Sequence, residues 1–220
     1  GKPVGAPFSL APRSQQDTEY LAAVEAGDSG SDNLIQLLRD APESNRRVVV
    51  DAWLRRNPKA AANMQRLVDE AAKAAGYDVG PVFHGTKGDK SGKFPFYVFD
   101  TKRRGKLVTE ADDPHTGSFF TEVEKYAKGV ALYQSGMNRD ARAVVGRFYL
   151  KNPRILDRGD EGWKNREFVA DDPSQIKSAD PVTYDSSGNV IPLSQRFNEQ
   201  SDDIRYSLTP RTQVSAKTDA

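Results

Sequence analysis

The chain has 220 residues, enough for one large domain or two small ones. Its 32 basic and 31 acidic residues leave a formal charge of +1, which argues against a general nucleic-acid carrier. Cysteine is absent, which excludes disulfides, thiolate chemistry and sulfur-ligated metals, and no apolar run approaches the roughly 18 residues a bilayer crossing needs.

Residues 1–16 read as a linker or module boundary. The start, GKPVGAPFSL, has no initiator Met and no charged-then-apolar signal pattern, so the chain reads as an excised piece of a longer polypeptide with flanking modules. FSLAPRSQ (8–15) returns as YSLTPRTQ (206–213). Both copies are short, polar and Pro-containing, without the core pattern of a structural repeat. They are expected to mark the edges of a cassette, with processing near Arg13 and Arg211 as one explanation and chance recurrence in polar linker as the other.

Residues 17–79 read as helices. DTEYLAAVEAGD starts on Asp17 as a cap, sets Tyr20, Leu21 and Val24 at helical spacing and stops at Gly27. DNLIQLLRD (32–40) is a short second helix ending before Pro42. ESNRRVVVDAWLRR (43–56) places Val48, Val49, Ala52 and Trp53 on one face, with Arg46, Arg47, Arg55 and Arg56 opposite, read as a solvated face with docking of an acidic partner as the alternative. The last helix opens near Pro58 and ends at Gly76, with Met64, Leu67, Val68, Ala71 and Ala75 as its apolar stripe.

From Gly80 to residue 180 the texture changes. PVFHGT, FPFYVFD, GSFFT, AVVGRFYL and REFVADD are short runs rich in Val, Phe and Tyr between turn residues, and they read as strands. FPFYVFD also suits a loop packed by its own aromatics. EVEKYAKGVALYQSG (122–136) reads as a helix, and residues 181–220 as an extended, turn-rich C-terminal segment. The class is α+β: a helical N-terminal region, then a mostly antiparallel strand-rich domain.

Three segments carry chemistry: His84-Gly85-Thr86 at a strand end, Gly117-Ser118-Phe119-Phe120-Thr121 running into a helix, and Glu167 opening EFVADDPSQI. Taken singly, a strand-end histidine, a Phe-Phe strand and a strand-start glutamate are ordinary structural features. In this order they resemble the ADP-ribosyltransferase superfamily. The clade is the diphtheria-toxin-like and poly(ADP-ribose)-polymerase-like one, with a histidine-tyrosine-glutamate triad. VGRFYLKNPRIL resembles its strand after the helix, and coverage is about residues 80–180. DEAAKAAGYDVGPVFHGT, DPSQIKSAD and DIRYS are also similar to segments of phage polyvalent proteins, where such domains are cassettes. Phe119 stands where the clade usually has Tyr, and Asn165 replaces the Glu or Gln of arginine-specific enzymes. Gln175 cannot carry negative charge, so the glutamate of the triad is assigned to Glu167.

The fold the resemblance implies is a split antiparallel β-sandwich. The implied activity is NAD-dependent mono-ADP-ribosyl transfer to a protein or nucleic-acid acceptor, consuming NAD as substrate and releasing nicotinamide. Glu167 would stabilise the oxocarbenium-like ribose, and His84 would hydrogen-bond a ribose hydroxyl. The Gly85 backbone would approach the nicotinamide amide, to which Thr121 would also bond, and Thr86 is counted among the NAD-binding residues. Phe119, with Tyr126 or Tyr133 of the following helix, would wall the ring, and Phe120 is counted among the NAD-binding residues. A carboxylate facing an imidazole across one narrow cleft is therefore expected. The implied setting is the host bacterial cytoplasm, reached with a phage particle. Two alternatives stand beside this one: water as acceptor, giving an NAD glycohydrolase toxin, or a decayed module that binds ADP-ribose or a partner. No Gly-x-Gly-x-x-Gly fingerprint follows a strand. His115 in DDPHTG reads as a turn residue, and the basic runs 87–93 and 101–106 as solvated loops or a draw for pyrophosphate. With two histidines in dissimilar contexts, no metal site is expected.

Overall fold

The computed structural model describes residues 14–88, 94, 96–100, 117–136, 142–156, 166–197 and 199–205. They form a mixed α+β protein in which N-terminal helices precede a six-stranded antiparallel sheet. Two compact units divide the chain: residues 1–74 with 180–194, and residues 75–179 with 195–220.

In the first unit, helix α1 (Gln15–Ala26) is capped by Ser14, whose side chain accepts the Asp17 N–H at 3.0 Å. The expected cap, Asp17, lies inside the helix and is buried. Its carboxylate accepts hydrogen bonds from the Ser194 backbone N–H at 3.0 Å and the Ser194 hydroxyl at 2.5 Å, which offset the cost of burying it. Helix α2 (Leu34–Asp40) starts on Asn33, whose side chain accepts the Gln36 N–H. Helix α3 (Arg46–Arg56) is rolled away from its expected stripe: Val50 and Trp53 are buried, while Val48 is 65% exposed. Polar anchors set that roll. The Trp53 indole donates to the Asp32 carbonyl at 2.6 Å, and buried Arg46 donates to the carbonyls of Leu38 and Ser186. Helix α4 (Pro58–Ala74) buries Ala60, Met64, Leu67, Val68 and Ala72, so Ala72 rather than Ala71 completes the stripe.

Residues 180–194, expected within the extended C-terminal segment, belong to this helical unit. Val182, Ile191 and Leu193 are buried, Pro181 accepts the Tyr20 hydroxyl at 2.9 Å, and Asp180 pairs with Arg47 at 2.8 Å. The apolar residues are spaced too irregularly to show a helical or strand period.

The second unit is the sheet. Its elements are β1 (Val79–Lys87), β2 (Ser118–Thr121), helix α5 (Glu124–Gly136), β3 (Ala143–Leu150), β4 (Arg154–Leu156), β5 (Glu167–Ala170) and β6 (Ile176–Ser178). The strand order is β4-β5-β2-β1-β3-β6, one hydrogen-bonded sheet among the described residues. The described residues of FPFYVFD take the loop form: among them only Val98 makes a bridge, to Asp203. One sheet face carries the core, with Val82, Phe120, Phe148, Leu150, Phe168 and Ile176 covered by Phe99 and Ile204. Against the other face packs α5, through Ala127 and Ala131. Among the described residues no helix is long and apolar enough to cross a membrane.

Candidate functional site

The three segments singled out by sequence lie 83 residues apart from His84 to Glu167, yet they become neighbouring strands. β5, β2 and β1 are adjacent in that order. Glu167 pairs with Thr121, and Thr121 with Phe83, the residue before His84. Two strand spacings, about 10 Å, therefore separate the Glu167 backbone from that of β1.

Between β1 and β2 the sheet opens. Phe83↔Thr121 is the one register pair these strands share, whereas β1 pairs with β3 without interruption from Val82 to Lys87. Extending the first register would match His84 with Phe120 and Gly85 with Phe119, but the ladder does not continue there. A strand that leaves its neighbour must satisfy its backbone groups in another way. Here the His84 ring does so: Nδ1 lies 2.8 Å from the Phe119 carbonyl oxygen and donates to it.

Strand alternation assigns the faces. Phe83, Thr121 and Glu167 share one row, so they project to the α5 face, and Gly85 and Phe119 follow by parity. A Cβ on Gly85 would fall 1.8 Å from the Ala127 carbonyl oxygen, which fixes that direction and shows why glycine packs there: the α5 backbone rests on it. His84 projects to the core face. Its ring lies 5.0 Å from Phe99, 5.4 Å from Phe120, 6.3 Å from Phe94 and 6.5 Å from Phe96, centroid to centroid. Imidazole and carboxylate thus leave the sheet on opposite faces, flanking the opening rather than facing each other across one cleft. The predicted geometry is corrected to that extent. Phe120, expected among the NAD-binding residues, lies in the core around His84.

The aromatic surroundings hold the His84 pKa below its ordinary 6.5, because burial penalises the imidazolium; the bond to Phe119 offsets part of that effect. The ring is therefore neutral at physiological pH. A carbonyl can only accept, so the ring proton stays on Nδ1 and Nε2 is left as an acceptor. That suits a ligand hydroxyl and does not suit an anion.

Glu167 is half-buried at the start of β5, with its Oε2 shut away from solvent. Arg166, next in sequence, is paired with Glu122 at 2.9 Å. Thr121 is buried, and its hydroxyl oxygen accepts the Val123 N–H at 3.2 Å where the chain turns into α5. Its own proton is then what it can offer a ligand. Thr86 and Tyr126 are half-buried, and Tyr133 is 57% exposed on α5. Gln175 serves the scaffold. Its Oε1 accepts the N–H groups of Asp171 and Asp172, and its Nε2 donates to the carbonyls of Lys151 and Asn152. That leaves Glu167 as the acidic residue of the motif strand.

No family model, curated protein or solved structure matches the chain.

Asn165, His115, the basic runs 89–93 and 101–106, and most of the two boundary tags lie outside the described residues. Sequence reasoning missed Gly146. It pairs with His84, and a Cβ there would approach the rings of Phe148 at 2.6 Å and Phe94 at 2.9 Å. A glycine facing a histidine inside a Phe-rich strand pair was the available signal. Among the described residues no group of three His, Cys, Asp or Glu is placed to hold a metal.

Proposed function

We propose that the sheet unit is an NAD-dependent mono-ADP-ribosyltransferase, with the opening between β1 and β2 as its nicotinamide end. The observation that carries this is the assembly of three sequence-distant segments on adjacent strands, with the sheet parting where the motif His-Gly-Thr begins. A ligand seated in a gap in the sheet is reached by groups from both faces. Glu167, Thr121, Phe119 and Gly85 flank it from the α5 side, and His84 from the core side. The finer fold assignment, a split ADP-ribosyltransferase-like sheet, belongs to the same proposal and draws on the same opening.

Chemistry follows from the residues. As the glycosidic bond between ribose and nicotinamide lengthens, positive charge grows on the ribose, and the Glu167 carboxylate offsets it in a site screened from water. His84 accepts a ribose hydroxyl at Nε2 and holds the sugar in a reactive pose. Phe119 supplies a flat apolar wall but no hydroxyl. The nicotinamide leaves, and an acceptor on a protein or nucleic acid closes on the anomeric carbon. The setting proposed with this activity is a phage cassette acting on host targets.

The test is incubation of the protein with labelled NAD and bacterial extract, reading nicotinamide release and ADP-ribose adducts by mass spectrometry. Wild type is expected to label an acceptor, and Glu167→Gln to lose about 100- to 1000-fold in rate with its melting temperature kept. Nicotinamide release at full rate without acceptor moves the assignment to hydrolysis. Absence of both turnover and NAD binding removes it.

A further inference from the structure

Two segments that the sequence singles out have no part in NAD chemistry: IKSAD, inside DPSQIKSAD, and DIRYS. Their described residues dock on each other. Lys177, fully buried, donates from Nζ to the Ser201 carbonyl at 2.7 Å and the Asp203 carbonyl at 3.0 Å. The Ser178 N–H donates to the Ile204 carbonyl at 2.8 Å, and the Ile204 N–H to the Tyr97 carbonyl at 2.8 Å. Val98 bridges Asp203, and the Arg205 guanidinium, paired with Asp203, sits 3.5 Å above the Tyr97 ring centroid. Residues 201–205 are thus a short splice between β6 and the aromatic loop. On the far side of Tyr97 and Val98, Phe96 and Phe99 pack against His84, and Ile204 fills the same core.

We propose that Asp203-Ile204-Arg205, latched by Lys177, positions the aromatic cover of His84, and so extends the site beyond the 80–180 stretch expected to hold it. Arg205 and Ile204 are positioning residues: they act on His84 through Tyr97, Phe96 and Phe99, without touching a substrate. Their use in catalysis rests on the NAD proposal, whereas the clasp itself does not.

Two histidines in the chain make the experiment clean. The C2 protons of His84 and His115 are followed by NMR titration in the full chain, assigned with His115→Gln. Loosening the cover admits water, so Arg205→Ala is expected to move the His84 midpoint up toward 6.5 while His115 stays fixed. Arg205→Lys keeps a cation over the ring and is expected to restore the wild-type midpoint. Ile204→Ala should give a larger shift in the same direction; if it does not fold, the Arg205 pair decides. In NAD turnover, Arg205→Ala is expected to raise KM about two- to fivefold with kcat less affected. An unchanged His84 midpoint in folded Arg205→Ala overturns the clasp. A shifted midpoint in a protein that neither binds nor cleaves NAD upholds the clasp and removes the enzyme proposal alone.

Discussion

The two edges of β1 differ in kind. Toward β3 the strand makes an unbroken antiparallel ladder from Val82 to Lys87; toward β2 it makes one register pair and parts. The closed edge satisfies the backbone with backbone, as a structural sheet does. The open edge holds the His84 ring against the Phe119 carbonyl. A sheet that gives up ladder bonds loses stability unless other groups replace them, and here the His84 ring is the replacement. This contrast separates β1 into a scaffold side and a candidate working side.

The sharpest way to break the contrast is a methyl group on each side. Gly85→Ala places a Cβ 1.8 Å from the Ala127 carbonyl oxygen, a backbone atom of α5 that cannot step aside alone. Overpacking of this kind typically costs about 1–3 kcal/mol and more where backbone must move, so we expect a loss above about 3 kcal/mol or failure to fold. Gly146→Ala meets only side chains, the Phe148 and Phe94 rings, at 2.6 and 2.9 Å, and is expected to cost about 1–3 kcal/mol. Thermal melts of both variants decide the matter. Equal losses would mean that the α5 backbone yields to a methyl group as readily as the Phe rings do.

A second effect concerns the latch that braces the open edge. Burial lowers the Lys177 pKa from 10.5 to about 8, against the opposing pull of Asp203 and Asp202. The unfolded chain binds the proton up to about 10.5, the folded chain only up to about 8. Between those values the unfolded state holds more protons, so stability rises with pH across the window. The gain is up to about 3 kcal/mol, reached above 10.5 and absent below 8. Lys177→Met should flatten that slope, seen as urea midpoints that no longer climb from pH 8 to 10. A wild-type slope that Lys177→Met leaves untouched would assign it to another group.

How much of this was legible beforehand depends on the kind of signal. AVVGRFYL gave β3 residue for residue, and the Met64–Leu67–Val68 stripe gave the buried face of α4, because period and burial coincide there. The motif strands β1, β2 and β5 were found by the same logic. Lys177 was invisible: a lysine flanked by Ile and Ser reads as exposed, and only the carbonyls of residues 201 and 203 make its burial tolerable. Val48 and Val50 were confused because Trp53 and Arg46 set the roll of α3 through contacts to Asp32, Leu38 and Ser186, distant in sequence. The opposite faces of His84 and Glu167 needed the register between strands, which no single strand encodes. The return of residues 180–194 to the helices has the same cause. It also carries a consequence: residues 80–180 expressed alone lack Ile204 and buried Arg196, which donates to the Ser178 carbonyl.

The smallest effect tests the open edge most directly. Burial lowers the His84 pKa from 6.5, and the Phe119 hydrogen bond recovers part of that shift. Above 6.5 neither the folded nor the unfolded chain protonates His84, so its contribution is whole. As pH falls below 6.5 the unfolded chain takes up a proton that the folded chain refuses, and stability declines toward the lowered folded value. Ligand binding should decline at lower pH still, because Nε2 ceases to accept a hydroxyl only once the folded ring itself is protonated. Denaturant midpoints from pH 7 downward, wild type against His84→Gln, measure the first; NAD affinity over the same range measures the second. A glutamine can still donate to the Phe119 carbonyl while having no proton to gain, so it should keep the seam tied and lose the His84 part of the acid slope. If the glutamine variant keeps the full slope, the titrating group is elsewhere and the ring at the opening has no privileged protonation state.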